Sequence, residues 1–128
     1  TVGWSGEEPN QLNMTAVFRR GEFHLRYSDP DSPALTLFAQ GGSAMFRRDR
    51  FLALGGFCEL FHPGYWEDFD LCYWAAKRGW RVIYNPQAVA LHFGKASLMK
   101  LLGPDGIASL DERTPLLFTW LNLTDRRL

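Results

Sequence analysis

Two adjacent carboxylates and a third nearby are the residues of this chain best suited to acid–base chemistry. Glu67, Asp68 and Asp70 stand in the sequence Trp-Glu-Asp-Phe-Asp, at the start of a segment with helical periodicity. A helix N-terminus favours negative charge, so Asp68 would be ionised at neutral pH and could accept a proton from an attacking hydroxyl. The same acids are also typical of ordinary helix capping, and the acids alone leave both interpretations open.

A glycine pair and an aromatic loop precede these acids. Gly41 and Gly42 form a turn that would let the backbone approach a ligand closely, although most Gly-Gly pairs only turn the chain. The loop at residues 57–66 holds side chains that could stack on the apolar face of a sugar ring or could fill the core. These side chains are Phe57, Phe61, Tyr65 and Trp66.

The hydrophobic pattern predicts the helix that would position the acids. Phe69, Cys72 and Ala76 recur at helical spacing, with acids in the first turn and Lys77 in the last. This distribution suits the helix dipole, and it predicts a helix over residues 67–77 that begins at the acids.

The remaining elements alternate between strands and helices. Strands are predicted in residues 14–27, with a break at Arg20-Gly21, and in residues 35–39, 43–47 and 80–84. Helices are predicted in residues 48–54 and 111–123, with a helical turn at residues 97–102 that ends at Gly103-Pro104. Such alternation favours an α/β domain over an all-α or all-β domain.

Length and composition set limits on the class of protein. The chain has 128 residues, 46% of them hydrophobic, which is enough for one domain with a core and is unlike a disordered tail. Its 14 basic and 14 acidic residues cancel, so no overall charge favours a nucleic-acid partner. No apolar run approaches the ~20 residues of a membrane span. The first residue is Thr1, and we expect the chain to be a piece of something longer.

The two cysteines, Cys58 and Cys72, form neither a disulfide framework nor a common zinc pattern. Cys72 lies on the apolar side of the predicted helix, which predicts a buried reduced thiol. Reduced cysteines agree with a cytoplasmic location.

Residues 41–92 contain a series of short motifs in a definite order. After the Gly41-Gly42 turn come Gly55-Gly56-Phe57, Glu67-Asp68-Phe69-Asp70-Leu71-Cys72, Gly79-Trp80, Pro86 and His92. The series resembles the acceptor-side half of family 2 glycosyltransferases with the GT-A fold. The resemblance covers about half of the chain strongly, and the flanks match loosely.

The resemblance implies a fold and an activity. Residues 1–128 would be a single domain fragment, the C-terminal portion of a GT-A fold, with a mixed sheet, flanking helices and the N-terminal nucleotide-binding half missing. The complete enzyme would transfer a sugar from a nucleotide-sugar to a hydroxyl of a glycan with inversion, in bacterial surface-polysaccharide biosynthesis. The chain alone would be inactive.

The resemblance also assigns site residues. Asp68 would be the catalytic base, and Trp66 and Glu67 would line the acceptor pocket. Gly41 and Gly42 would meet the donor sugar and the acceptor.

A divalent metal is expected in the full-length enzyme. By resemblance, His92 would help an upstream Asp-x-Asp motif to hold Mn²⁺ or Mg²⁺ on the nucleotide diphosphate, although a lone histidine after an apolar run is commonly a core or surface residue. The upstream motif is absent, since Asp29-Pro30-Asp31 has its letters but lies in a turn. We therefore expect this fragment to bind no metal tightly.

The expected partners are the nucleotide-sugar donor, the glycan acceptor and the missing half of the same protein. Self-association through an exposed sheet edge is also expected. The location would be cytoplasmic, with the inner face of the membrane as an alternative. Two alternatives stay open: a carbohydrate-binding module without chemistry, and an α/β protein-interaction module in which every acid is a helix cap.

Overall fold

The computed structural model describes residues 2–4, 9–11, 13–28, 30–90 and 96–124, which form short antiparallel strands and helices. The strands are β1 (Val2–Trp4), β2 (Pro9–Gln11), β3 (Asn13–Arg19), β4 (Glu22–Ser28), β5 (Ala34–Leu35) and β6 (Ile83–Tyr84). The helices are α1 (Arg48–Ala53), α2 (Glu67–Lys77) and α3 (Ala96–Asn122), with a 3₁₀ turn at Glu59–Phe61. The α/β class expected from the sequence is confirmed.

Strands β3 and β4 form a hairpin because the chain reverses over two residues with left-handed backbone angles. Arg20 has a φ of 53° and Gly21 a φ of 85°, which suits the tight turns that match the twist of paired strands. The register places Phe18 opposite Phe23, and their ring centroids lie 5.0 Å apart. The break predicted at Arg20-Gly21 is therefore a hairpin turn.

Residues 34–37 lie between the hairpin and β6. Strand β5 pairs antiparallel with β6, and the Thr36 N–H donates to the Val82 carbonyl at 3.0 Å. On the other side, the Leu37 N–H donates to the Met14 carbonyl at 2.7 Å. Backbone hydrogen bonds of this segment therefore link the β3–β4 hairpin to β6. The regular strand within it is shorter than the predicted 35–39.

The strand predicted at residues 43–47 does not form, and that prediction is wrong. Within the described residues this segment has no strand partner, and Met45 is 100% exposed. A strand needs a neighbour that supplies its backbone hydrogen bonds, so apolar sequence alone cannot hold one in place.

The expected mixed sheet is also not seen in the part of the chain that the structure describes. Every strand pair there is antiparallel. A parallel pair requires a crossover connection of a dozen or more residues, whereas β3 and β4 are joined directly by the two-residue turn. Residues 80–82, predicted as the start of a strand, are irregular, and only Ile83–Tyr84 pair.

Helix α2 spans the predicted residues, Glu67–Lys77. Helix α1 also forms as predicted, from Arg48 to Ala53. It stops at Gly55, whose φ of 89° is readily adopted by glycine and carries the chain out of the helix.

Helix α3 is longer than the sequence predicted. The predicted helical turn and the predicted C-terminal helix both fall within Ala96–Asn122, interrupted by the non-helical Gly103, which has φ 67° and ψ −178°. Pro104 follows this break, where a missing N–H costs little. The helical run thus resumes well before residue 111, because the apolar positions Ile107 and Leu110 are buried.

The core is an aromatic cluster between α2, α3 and the aromatic loop. Phe61, Phe69 and Phe118 are its buried centre. Phe118 lies 5.0 Å from Phe69 and 5.0 Å from Phe23 of β4, each in an edge-to-face arrangement. These contacts fix α2, and with it the acids of its first turn, against the rest of the chain.

Candidate active site

Asp68 lies in the first turn of α2 and contacts the glycine turn predicted as a ligand-binding loop. The Gly41 N–H donates to Asp68 Oδ2 at 3.0 Å, and the Phe69 N–H donates to Asp68 Oδ1 at 2.8 Å. The residue is only 9% exposed. The structure therefore brings together two of the predicted site segments, 27 positions apart in sequence, and holds the carboxylate by both oxygens.

Burial sets the proton affinity of Asp68. It raises the pKa of the carboxyl above 3.8, against the opposing effect of the backbone N–H donors from Gly41 and Phe69. The sequence reveals only the effect of the helix N-terminus, which favours the ionised form of Asp68. Desolvation is the larger effect here, so Asp68 binds a proton more readily than an ordinary aspartate.

Glu67 lies beside Asp68 and is half-buried. Burial raises its pKa, and the nearby charge of Asp68 adds to the rise. Glu67 Oε2 is buried and has no hydrogen-bond partner among the described residues. A buried acceptor without a donor is costly, so this oxygen is suited to a hydroxyl or N–H from a bound molecule.

Trp66 precedes α2 with strained backbone angles. Tyr65 and Trp66 both have a φ of 71°, a left-handed conformation that is uncommon for bulky residues and that surrounding contacts must maintain. The Trp66 ring provides such contacts, at 5.1 Å from Phe69 and 5.2 Å from Phe118. Trp66 thus positions the start of α2, and its contact with an acceptor stays a prediction.

The aromatic loop is held against α3. Arg113 donates a hydrogen bond to the His62 carbonyl at 3.0 Å, and a Cβ on Gly64 would meet a Leu98 methyl at 3.0 Å. Phe61 is fully buried, with 0% exposed, so it belongs to the core and is not available to stack on a sugar. Phe57 is 38% exposed, and its ring packs on Phe46 and Phe51.

The glycine turn is open to solvent on the side away from Asp68. Gly41 and Gly42 are both exposed, and the Ser43 N–H closes the turn onto the Gln40 carbonyl at 3.0 Å. A Cβ on Gly41 would lie 3.6 Å from the Phe57 ring and 4.0 Å from Asp68 Oδ2, which are ordinary contacts. Gly41 therefore acts through its N–H, a role that the sequence did not reveal.

Asp70 has a different environment from Asp68. Asn122 Nδ2 of α3 donates to Asp70 Oδ1 at 2.8 Å. Burial raises the pKa of Asp70, against the opposing effects of the Asn122 and Trp74 side chains. The link from α2 to α3 gives Asp70 a structural role, which sequence spacing could not indicate because Asn122 is 52 positions away.

The predicted metal ligand, His92, lies outside the described residues. Within the described ranges no group of three or more His, Cys, Asp or Glu side chains could hold a metal ion. The metal assignment therefore stays a prediction.

The buried thiol predicted at Cys72 is confirmed. Cys58 and Cys72 are both free, and Cys72 is buried. Burial raises the pKa of the Cys72 thiol to about 12, so it is protonated and unreactive at neutral pH.

Two cavities lie next to α2, and Asp68 lines neither. One, of about 320 Å³, is bounded by residues 38–47, α1, α2 and β6. The other, of about 460 Å³, is lined by Asp70, Trp74 and Arg78 of the α2 region, with Leu121 of α3. The Asp68 carboxylate is instead covered by the glycine turn, so an acceptor would reach it only through a cleft outside these two cavities.

No helix in the described residues is long and apolar enough to cross a membrane. Comparisons with protein-family models, curated proteins and solved structures found no match for this chain.

Proposed function

We propose that this chain is the acceptor-side part of a GT-A glycosyltransferase of family 2, with Asp68 as its catalytic base. The observation that carries the proposal is the hydrogen bond from the Gly41 N–H to Asp68 Oδ2. It joins the two segments that the sequence resemblance independently assigns to one site. Helix capping does not explain this bond, because the N-cap residue of α2 is Trp66 and Asp68 lies inside the first turn.

The reaction follows from a fixed carboxylate. As the acceptor oxygen bonds to the anomeric carbon of the donor sugar, its proton passes to Asp68. The bond from that carbon to the nucleoside diphosphate breaks, and the electron pair leaves on the phosphate oxygen. Attack opposite the leaving group inverts the anomeric centre. The raised pKa of Asp68 makes it a stronger base than an exposed aspartate.

Glu67 would bind the acceptor in this scheme. Its buried Oε2 lacks a donor among the described residues, and a sugar hydroxyl beside the one being deprotonated would supply it. This contact would orient the acceptor without taking part in proton transfer.

The donor would be held mainly outside this chain. The described residues do not by themselves fit a metal centre, so no step is assigned to a metal, and a role for His92 remains part of the proposal. The nucleotide-binding half, the divalent metal, a bacterial polysaccharide substrate and a cytoplasmic location all rest on the resemblance.

A non-catalytic α/β binding or interaction module is the second candidate. The position of Asp68 outside both cavities favours it, as does the structural use of Asp70 by Asn122. An Asp-x-Asp motif encoded upstream of this chain would favour the enzyme, and its absence would favour the module.

The test is product formation by the complete polypeptide that contains this chain. It would be incubated with a panel of nucleotide-sugars and glycan acceptors, and the product's anomeric configuration read by NMR. We expect transfer with inversion. Retention of configuration, or binding of glycans with no transfer from any donor, would contradict the proposal.

A further inference from the structure

The cavity of about 320 Å³ beside α1 has the size of a small-molecule site and is separate from Asp68. It lies between residues 38–47, helix α1, the apolar side of α2 and strand β6. Its wall is mainly apolar and includes Phe38, Phe51, Leu71 and Tyr84. We name it the arginine-rimmed cavity, after Arg47, Arg50 and Arg81 in its lining.

All the charged side chains that line this cavity are positive. Among the described residues these are Arg47, Arg50 and Arg81, and no acidic side chain lines it. All three arginines are exposed as well as lining the cavity, so the cavity borders solvent at these residues. An apolar cavity with a positive rim attracts an anion that carries an apolar body.

The three arginines are not equally free to bind. Arg47 is engaged by Asp49, with an Nη2–Oδ2 distance of 2.8 Å. Arg50 lies 4.3 Å over the Trp80 ring, which orients it, and forms a longer ion pair with Asp49, with an Nε–Oδ2 distance of 3.8 Å. Most of its N–H donors stay unused. The Arg81 side chain has neither an ion pair nor a hydrogen bond to another described residue. Arg50 and Arg81 are thus the two donors available to a ligand.

We propose that the arginine-rimmed cavity binds a small soluble organic anion, with its apolar body against the aromatic wall and its anionic group on Arg50 and Arg81. The guanidinium group pairs well with carboxylate, phosphate and sulfonate oxygens. The site is independent of the proposed sugar transfer and uses none of its residues.

The test uses two fluorescent probes with the same ring system. Anilinonaphthalene sulfonate carries the anionic group, and phenylnaphthylamine is its neutral counterpart. Titration of the 128-residue chain should give saturable binding of the sulfonate at about tenfold higher affinity than the neutral probe. Equal affinities, or no saturable binding of the sulfonate, would overturn the proposal.

Charge variants locate the anionic group. Arg50→Gln and Arg81→Gln should each weaken sulfonate binding about three- to tenfold and leave the neutral probe unchanged. Arg26→Gln is the matched control, because Arg26 is exposed and lines neither cavity. Equal losses in all three variants would mean non-specific attraction and would overturn the assignment.

A filling variant locates the apolar body. Ala75 lines the cavity, whereas Ala76 is exposed on the same helix and does not. Ala75→Leu should abolish binding of both probes, and Ala76→Leu should leave it unchanged. If circular dichroism shows that Ala75→Leu does not fold, Ala44→Leu fills the same cavity from the loop. Full binding by a folded filling variant would place the probes elsewhere and contradict the proposal.

Discussion

At the scale of the residue, two opposing effects act on Asp68. Burial disfavours its charge, while N–H groups from Gly41 and Phe69 stabilise that charge. A base must be ionised before it can accept a proton, and it gains strength from a raised pKa. The environment of Asp68 meets both needs, since the donors fix the carboxylate and burial increases its basicity.

The first prediction is that Asp68 titrates above 3.8 and Asp49 below it. Burial raises the pKa of Asp68, whereas the hydrogen bond and charge of Arg47 lower the pKa of Asp49. Carbon-detected NMR of the carboxyl groups across an acidic pH series would measure both. An Asp68 pKa below that of Asp49 would contradict this picture of the site.

The same shift has a consequence for stability. Because the folded-state pKa of Asp68 is raised, its protonated form favours folding below the unfolded-state value, and this contribution is lost as pH rises through the folded-state pKa. The lowered pKa of Asp49 has the opposite effect on folding: its ionised form favours the folded state, and this contribution is lost as pH falls through the folded-state pKa. Under the proposed function, sugar transfer by the complete polypeptide should fall as pH drops through the raised pKa of Asp68.

The second prediction concerns Asp70 and Asn122. A double-mutant cycle with Asp70→Ala and Asn122→Ala should give a coupling free energy of about 1.5–3 kcal/mol at neutral pH, as for a hydrogen bond to a charged group. Urea unfolding measures it. The coupling should shrink below the raised pKa of Asp70, because the protonated acid accepts a weaker hydrogen bond. A coupling near zero at neutral pH would contradict the structural role of Asp70.

At the scale of the element, one aromatic side chain of α3 fixes α2. Phe118 is 0% exposed, and its ring packs on Phe23, Trp66, Phe69 and Tyr73. Rings from the β3–β4 hairpin, the aromatic loop and α2 therefore all contact this one side chain of α3. The position of the Asp68 carboxylate depends on this cluster, because the cluster holds the first turn of α2 in place.

The third prediction is that Phe118→Ala lowers the free energy of unfolding by about 3–5 kcal/mol, from lost burial and the cavity left behind. Trp120→Ala, two residues along the same helix and 76% exposed in the wild type, should change it by at most about 0.5 kcal/mol. Urea unfolding compares them. If Phe118→Ala does not fold, Phe118→Leu should show a smaller loss that still exceeds the control. Equal effects at both positions would contradict the assigned core.

Local signals in the sequence predicted some elements well. The acids, the apolar spacing and the terminal Lys77 define α2, and Arg20-Gly21 marks the hairpin turn. Residues 43–47 show the limit of such signals. A short apolar segment becomes a strand only with a partner, and the segment's own sequence does not say whether a partner is there. Gly103 shows another limit of prediction from local sequence. Helix α3 continues beyond the break at this residue because the side chains that follow it, such as Ile107 and Leu110, are buried.

The candidate site was predictable in its residues but not in their contacts. Asp68, Gly41 and Gly42 could be named from their types and order. Three contacts join positions that are far apart in sequence. They are the hydrogen bond from Gly41 to Asp68, the hydrogen bond between Asn122 and Asp70, and the stacking of Arg50 on Trp80. The dominance of burial over the helix dipole at Asp68 also depends on packing, which spacing does not give.

At the scale of the whole molecule, apolar side chains are exposed on strands β5 and β6 and on residues 43–47. Leu35 of β5, Ile83 of β6 and Met45 are 61%, 50% and 100% exposed. Residues 43–47 have no strand partner in the described residues. Apolar surface beside unpaired backbone is prone to association.

The fourth prediction is that the isolated chain self-associates and binds nucleotide-sugars weakly, with or without Mn²⁺. The described residues lack a metal centre, and the diphosphate would need carboxylates from elsewhere. Size-exclusion chromatography would show concentration-dependent association, and Met45→Lys should reduce it. Calorimetry would measure the binding of nucleotide-sugars. Tight, Mn²⁺-dependent binding of a nucleotide-sugar by this chain would mean that the donor site has been misplaced.

The most direct test of the central claim is the turnover of Asp68→Asn in the complete enzyme. Loss of the base should reduce transfer by at least about 10²-fold while nucleotide affinity stays nearly unchanged, because Asp68 is assigned to the acceptor and not to the donor. Asp49→Asn, an exposed aspartate outside the site, should keep full activity. Comparable turnover by Asp68→Asn and the wild type would contradict the assignment of Asp68 as the catalytic base.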